Sequence, residues 1–368
     1  MNKTIFCFFA MWLLCLSGIF ADDLYLKISD PEQVETSNEY ALVSQNKRAM
    51  MAFDGSKIGY VGTATNWIGD DDGIVIPYDE KQQPSLLNLI KAGNYYVIHF
   101  KGTEYCLGAS GSKNSAKLIT ITYSDDIVDD TRALWQLVPH DGEMALQSVK
   151  VGYHLVYSNS TFKVAAKTSN SQYVNLFQKI GEGIRMPSSG YVTYVAMNPT
   201  DFTQTPGMQA CKVMAATKSR VNIIPIEKAP KNTAVVLHGK KGCYPIYETS
   251  ESVEPVSGNL LRASDGSVSH RSDGMNYYTL EDKITYGPGF YRVEKDNIVA
   301  ERTAYLIIQG DDRDAEFISI VEGPPTGIET MNTKMLHERT YDLMGRTASS
   351  GKLPQRIVVK SGKKYVQN

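Results

Sequence analysis

The residues best suited to chemistry lie together at Trp67-Ile68-Gly69-Asp70-Asp71-Asp72-Gly73. An indole ring stacks on a sugar face, and clustered carboxylates bind sugar hydroxyls or a calcium ion. Trp67, Asp70, Asp71 and Asp72 are therefore the candidate ligand-binding residues. Their spacing is not the alternating D-x-D-x-D-G of a calcium loop, since three adjacent carboxylates cannot all face one ion. No metal and no other cofactor is expected. The competing reading is a solvated acidic turn with Trp67 packed on the body of the fold.

Covalent and acid–base chemistry leaves little local trace. Gly108-Ala109-Ser110-Gly111 imitates a nucleophile elbow, but with the wrong spacing and no helix after it. A catalytic thiolate needs exposure and a histidine partner, whereas Cys106 occupies a recurring apolar position. The six histidines, His99, His140, His154, His238, His270 and His337, show neither HExxH nor HxH spacing. There is no CxxC, no Cys/His cluster of a structural zinc site and no Gly-rich phosphate loop behind a strand. Paired carboxylates of a glycoside hydrolase need not be neighbours in sequence, so that class stays open. The expectation is a protein without catalytic residues.

The elements that would position these residues read as β throughout. The chain has 368 residues, enough for two or three domains. Tyrosine, favoured on half-buried sheets, outnumbers phenylalanine 22 to 11. With 38 Lys+Arg against 40 Asp+Glu there is no basic excess for nucleic acid, and a hydrophobic content of 42% excludes a disordered chain. Residues 1–21 read as a secretory signal peptide: Lys3, an apolar run from Ile5 to Leu16, then a small-residue exit cleaved after Ala21. The run is shorter than the roughly 20 residues of a membrane span, and no later run matches it. The mature chain is thus expected to be secreted or surface-held, with no transmembrane segment. Cys7 and Cys15 leave with the leader; of the remaining Cys106, Cys211 and Cys243, the last two lie 32 positions apart. They are either a disulfide or two buried thiols.

Residues 22–183 contain a threefold repeat. Leu42, Ile98 and Leu146 each close an apolar strand and are followed at the same offsets by Met50-Met51, Cys106-Leu107 and His154-Leu155. The units start 56 and 48 residues apart, at Tyr40, Tyr96 and Met144. Each is expected to close on a further run: Ile74-Val75-Ile76, Leu134-Trp135-Gln136-Leu137, and Val174-Asn175-Leu176-Phe177. Hairpins that cannot bury an apolar face alone can do so around a common barrel, which predicts a β-trefoil. The first unit carries an insertion around Gly62 to Tyr78. Trp135-Gln136-Leu137, Gly142 and Tyr153-His154-Leu155 resemble lectin-type trefoil repeats. That resemblance implies recognition through loops.

Gly181-Glu182-Gly183 and Pro187-Ser188-Ser189-Gly190 read as a linker to a β-sandwich or jelly roll over 184–325, built of about nine short strands from Tyr191 to Val321. Gly190-Tyr191-Val192-Thr193-Tyr194, Tyr277-Tyr278-Thr279-Leu280 and Gly289-Phe290-Tyr291 resemble a module found before the C-terminus of secreted bacterial surface proteins. Residues 326–368 carry Tyr341-Asp342-Leu343-Met344-Gly345-Arg346, then Arg356-Ile357-Val358-Val359-Lys360 and Lys363-Lys364-Tyr365. This tail resembles the C-terminal sorting domain of type IX secretion substrates, which implies partnership with a secretion and sorting machinery. The combined expectation is a secreted or surface-attached, non-catalytic protein that binds a glycan or a host or surface protein. Alternatives are a protease inhibitor using the Gly62–Tyr78 insertion, or a glycan hydrolase without a local signature.

Overall fold

A computed structural model describes residues 22–324, apart from 78–80, 141–142, 269–274, 295–296 and 310–314, and three short strands beyond residue 340. The expected leader and its cleavage point after Ala21 lie outside the described residues, as does most of the expected sorting tail. The described residues up to Gly323 form one compact unit and those from Pro324 on another.

The N-terminal half is a β-trefoil. A first strand, β1 (Asp22–Lys27), precedes three four-stranded units. These comprise β2 (Glu39–Ser44), β3 (Ala49–Phe53) and β4 (Ile58–Gly62), the outer β5 (Gly73–Ile76), then β6 (Leu87–Ala92). The second unit is β7 (Tyr95–Phe100), β8 (Tyr105–Ser110), β9 (Lys117–Thr122) and β10 (Leu134–His140). The third is β11 (Glu143–Ser148), β12 (His154–Ser158), β13 (Thr161–Ala165) and β14 (Gln172–Met186). The outer strands of the units pair in the order β2-β6-β7-β10-β11, β11 lies alongside β14, and β14 pairs back on β2 to close a barrel. The hairpins β3–β4, β8–β9 and β12–β13 cap it.

Alternation fills the interior, because every second side chain of a barrel strand points inward. Tyr40 and Leu42, Leu87 and Leu89, Ile98 and Phe100, Trp135 and Leu137, Leu146, and Val174 and Leu176 share one core cluster. Met51, Leu107 and Leu155, from the hairpins, complete it. Leu42, Ile98 and Leu146 therefore converge as the repeat requires. The closing strand of the first unit is a correction. Ile74-Val75-Ile76 does not close that unit; it pairs with β1 on the outside, and Leu87–Ala92 takes the barrel position.

The second half is a β-sandwich. Its strands are β15 (Tyr191–Ala196), β16 (Thr200–Asp201), β17 (Met208–Ala216), β18 (Arg220–Ile226), β19 (Lys228–Ala229), β20 (Thr233–Gly239) and β21 (Gly242–Pro245). After these come β22 (Leu261–Ala263), β23 (Met275–Lys283), β24 (Gly287–Arg292), β25 (Ala304–Gln309) and β26 (Phe317–Glu322). Nine of these strands hydrogen-bond in the order β15-β20-β17-β18-β26-β24-β23-β25-β22, with β18–β26 the parallel step. The run folds over on itself: Val195, Val213, Val221 and Val236 from one layer pack on Leu261, Tyr278, Phe290, Leu306 and Ile318 from the other.

The expected linker at Gly181-Glu182-Gly183 is instead the middle of β14, which runs fifteen residues without a break. Its first part pairs with β2, its middle with β1, and its last four residues with β21. Ile184 and Met186 then bury against Tyr194, Phe202, Val235, Leu237 and Ile246. The chain turns only at Pro187–Gly190, where Gly190 donates its N–H to the Pro187 carbonyl and adopts a positive φ of 76°. In the separate C-terminal unit, β27 (Tyr341–Asp342), β28 (Arg356–Lys360) and β29 (Lys363–Gln367) form an antiparallel sheet.

Candidate functional site

The acidic loop is folded as a clip. Gly69 donates its N–H to the Gly73 carbonyl at 2.8 Å, and the backbone turns at Asp72 through a φ of 59°. The three carboxylates go to three different partners. Asp70 pairs with Lys241 at 2.6 Å, Asp71 accepts the Cys243 N–H through Oδ2 at 2.8 Å, and Asp72 pairs with Lys47 at 2.9 Å. The Lys241 ammonium hydrogen-bonded to Asp70 holds that carboxyl below the usual range. At Asp72 burial acts upward, but Lys47 and Lys27 outweigh it and the net shift is downward. Arg185 Nε donates to the Ile68 carbonyl at 3.0 Å, so β14 and β21 grip the loop together. Glycine is required at both ends: a Cβ on Gly69 would lie 2.5 Å from Cys243 Sγ, and one on Gly73 2.7 Å from Cys243 Cβ.

Trp67, from the 3-10 turn Thr65–Trp67, is 7% exposed and packs with Tyr25, Val43, Met50, Ile74 and Phe177. Its ring faces are spent on protein, which corrects the expectation of a sugar platform. The four sequence candidates are brought together as a brace between the trefoil and β21. Among the described residues no group of three or more His, Cys, Asp or Glu is arranged for a metal ion.

The candidate disulfide is also corrected: Cys106, Cys211 and Cys243 are all free and buried. Cys211 belongs to the sandwich interior, while Cys243 packs with Leu24 and Val75 against the trefoil. Burial pushes the Cys106 thiol up to about 11, and burial with nearby carboxylates pushes Cys211 and Cys243 up to about 12. None has the depressed value of a nucleophile.

A second constellation becomes visible when the three units are superimposed by register. The hairpins β6–β7 and β10–β11 end on the pairs Ala92↔Tyr95 and His140↔Glu143, so His140 stands where the previous unit has Ala92. The barrel positions of Leu87, Trp135 and Val174 correspond, which sets Leu86, Leu134 and Tyr173 in correspondence one residue before them. Met50, Cys106 and His154 are the third such set. In the first unit Met50 is covered by Trp67; in the second, Cys106 and Leu134, with Ala92 from the end of β6, are covered by Ile127 from the 3-10 turn Ile127–Asp129. Around the third unit rings take these places: His154 and Tyr173 from that unit, with His140 from the end of β10 in the second. His140 and His154 stack with centroids 5.1 Å apart at 17°, both edge-on to Tyr173 at 4.8 and 5.2 Å.

Its connecting segment, residues 166–171, contains no 3-10 turn and buries only Ser171. In place of a Trp67 or Ile127, Lys167 sets its Nζ 4.1 Å from the Tyr173 ring centroid. Tyr173 is wholly buried, His154 half-buried and His140 exposed. Burial first, and the neighbouring His140 second, lowers the pKa of His154 and so disfavours its charged form. The sequence marks His154 as a repeat position equivalent to Met50 and Cys106 but does not show the cluster, whose members come from β10, β12, β14 and a loop.

No protein-family model matches the sequence, and no curated protein matches it. Among solved structures, the chain is similar to ThreeFoil, a designed threefold-symmetric protein, with a TM-score of 0.26 and 17% identity over 37% of this chain and 97% of that one. It is similar to the cytolethal distending toxin of Actinobacillus actinomycetemcomitans, with a TM-score of 0.28 and 16% identity over 40% of this chain and 94% of that one. A GH43 β-1,3-galactosidase gives a TM-score of 0.29 and 13% identity over 42% of this chain, and the match spans 29% of that enzyme. Likenesses of this size carry no argument about ligand or reaction; the trefoil assignment rests on strand order and the shared interior.

Proposed function

We propose that the protein is a secreted or surface-attached, non-catalytic recognition protein that binds a glycan on the outer face of its third trefoil unit. The observation supporting this reading is the ring cluster of His140, His154 and Tyr173, where the counterparts Ala92, Met50 and Cys106, and Leu86 and Leu134 are apolar. Imidazole faces pack on sugar C–H groups, and their N–H groups donate to hydroxyls. The barrel beneath is rigid, which suits recognition without chemistry. The sandwich acts as a spacer, and the tail serves export through a sorting machinery and attachment.

A protease-inhibitor loop needs to project into an enzyme cleft. The first-unit insertion instead lies against β1, β14 and β21, gripped by Lys47, Arg185 and Lys241. A glycan array probed with the mature chain tests the proposal: signal that falls in His140→Ala is expected. Absence of any signal would remove the glycan reading.

A further inference from the structure

The sandwich carries an exposed aromatic step on one face. In the turn between β23 and β24, Ile284 is fully exposed and Tyr286 is 61% exposed. The Tyr286 ring stacks on Phe317 of β26, with centroids 5.1 Å apart at 18°, and Phe317 in turn leans on Tyr291 at 5.0 Å. Gly289 makes room for this arrangement: a Cβ there would fall 2.3 Å from a Phe317 ring carbon, so Phe317 lies across β24 where a side chain would stand. Tyr291 is itself fixed, its O–H donated to the Gly287 carbonyl at 2.7 Å. Lys283 holds its Nζ 4.5 Å from the Tyr291 centroid and pairs with Glu281 at 2.9 Å. Next to Phe317 in the sequence, Glu316 faces Arg292 at 4.0 Å. Asp282 alternates to the opposite side of β23 from Glu281 and Lys283.

An exposed apolar cluster marks a contact surface, and its geometry selects the partner. A projecting ring edge suits a protein groove or a lipid interface. Tyr286 is instead laid against another ring and turns its second face to solvent. Stacking fixes that face before a ligand arrives, so little side-chain entropy is lost on binding. The matching ligand surface is flat, as is the C–H face of a pyranose, and its hydroxyls need donors and acceptors at the rim. The Lys283–Glu281 pair supplies both and cancels in charge, which favours a neutral ligand. Charges paired in this way give no basic excess to draw an anionic bilayer.

We infer that this face of the sandwich binds a neutral saccharide, one pyranose stacking on Tyr286 and its hydroxyls meeting Lys283 and Glu281. Such a site stands apart from the third trefoil unit and does not depend on glycan binding there.

The test uses the full mature chain carrying His140→Ala, which separates this face from the third trefoil unit, in native affinity gels containing hydroxyethylcellulose, xyloglucan or galactomannan. Retardation by at least one of these neutral polysaccharides is expected. Adding Tyr286→Ala should weaken the apparent affinity by about tenfold, equivalent to about 1.4 kcal/mol, with near-UV circular dichroism unchanged. Tyr286→Phe keeps the ring face and should bind within about threefold of its parent. Absence of retardation in all three gels, or retardation that survives in Tyr286→Ala, would overturn the site. Equal losses in Tyr286→Ala and Tyr286→Phe would overturn the stacking on which it rests. Sedimentation with phosphatidylcholine vesicles that is lost in Ile284→Ser, without retardation in the gels, would assign the turn to a lipid surface instead. Failure of the third-unit reading is seen separately, in a parent array signal that His140→Ala does not reduce, and leaves the sandwich site standing.

Discussion

His154 shows how one residue sets a pH response. Its folded pKa is lowered below the unfolded value of 6.5, first by burial and then by His140. The unfolded chain therefore binds a proton that the folded chain resists, and stability falls as pH drops through and below 6.5. His140, stacked on the His154 ring, adds to the penalty for charging it. Denaturant midpoints measured from pH 7.5 to 5.5 should decline, and His154→Leu, matching the apolar character of its counterparts, should flatten that decline. A parent midpoint that is flat over this range would contradict the assignment.

Trp67 belongs to the same scale. Truncation to alanine should cost about 3–5 kcal/mol, as for a buried large aromatic, measured by chemical denaturation. The three thiols should resist Ellman's reagent at pH 8 and all react once the chain is unfolded, because burial has raised them to about 11 or 12. A fast-reacting thiol in the folded protein would be inconsistent with that burial.

At the scale of elements, the acidic loop matters through what it grips. Gly73→Ala would drive a Cβ against Cys243 Cβ, an atom fixed by β21 and unable to swing aside. A cost of about 1–3 kcal/mol, typical of overpacking, is expected in urea unfolding, with loosening of the β21 seam seen as faster amide exchange at Ile184 to Met186. The repeat was legible in the sequence because barrel positions recur at fixed offsets, and Leu42, Ile98 and Leu146 do meet. The first unit's last strand was not. Gly73–Ile76 is buried along its whole length and reads as a core strand, whereas Leu87–Ala92 alternates and lies beyond the insertion. Gly181 to Gly183 reads as a break, yet these residues sit in β14 paired with β1. The ring cluster was illegible for another reason: no window contains it, and it emerges only when three units of unequal length are placed in register.

At the scale of the whole molecule, trefoil and sandwich share a strand and a core. The described residues up to Gly323 form one compact unit, with Ile184 and Met186 buried beneath the sandwich layer. A single calorimetric transition is therefore expected for these two halves, with β27–β29 free to unfold separately. Two well-separated transitions within residues 22–323 would show that the seam does not couple them. The all-β class, the threefold barrel and the sandwich were each readable from turn spacing and strand pattern; the fusion between them was not, since burial of Ile184 and Met186 depends on residues up to 62 positions away at Ile246.

The continuity of β14 has a mechanical consequence. If the protein is held through the C-terminal part of its chain while a ligand on the barrel is fixed to another surface, tension passes from barrel to sandwich along this strand. Its flanking partners β2, β1 and β21 all run antiparallel beside it. A pull along the strand axis would load many hydrogen bonds at once rather than open them in succession. The joint between barrel and sandwich is thereby built to stay closed under drag.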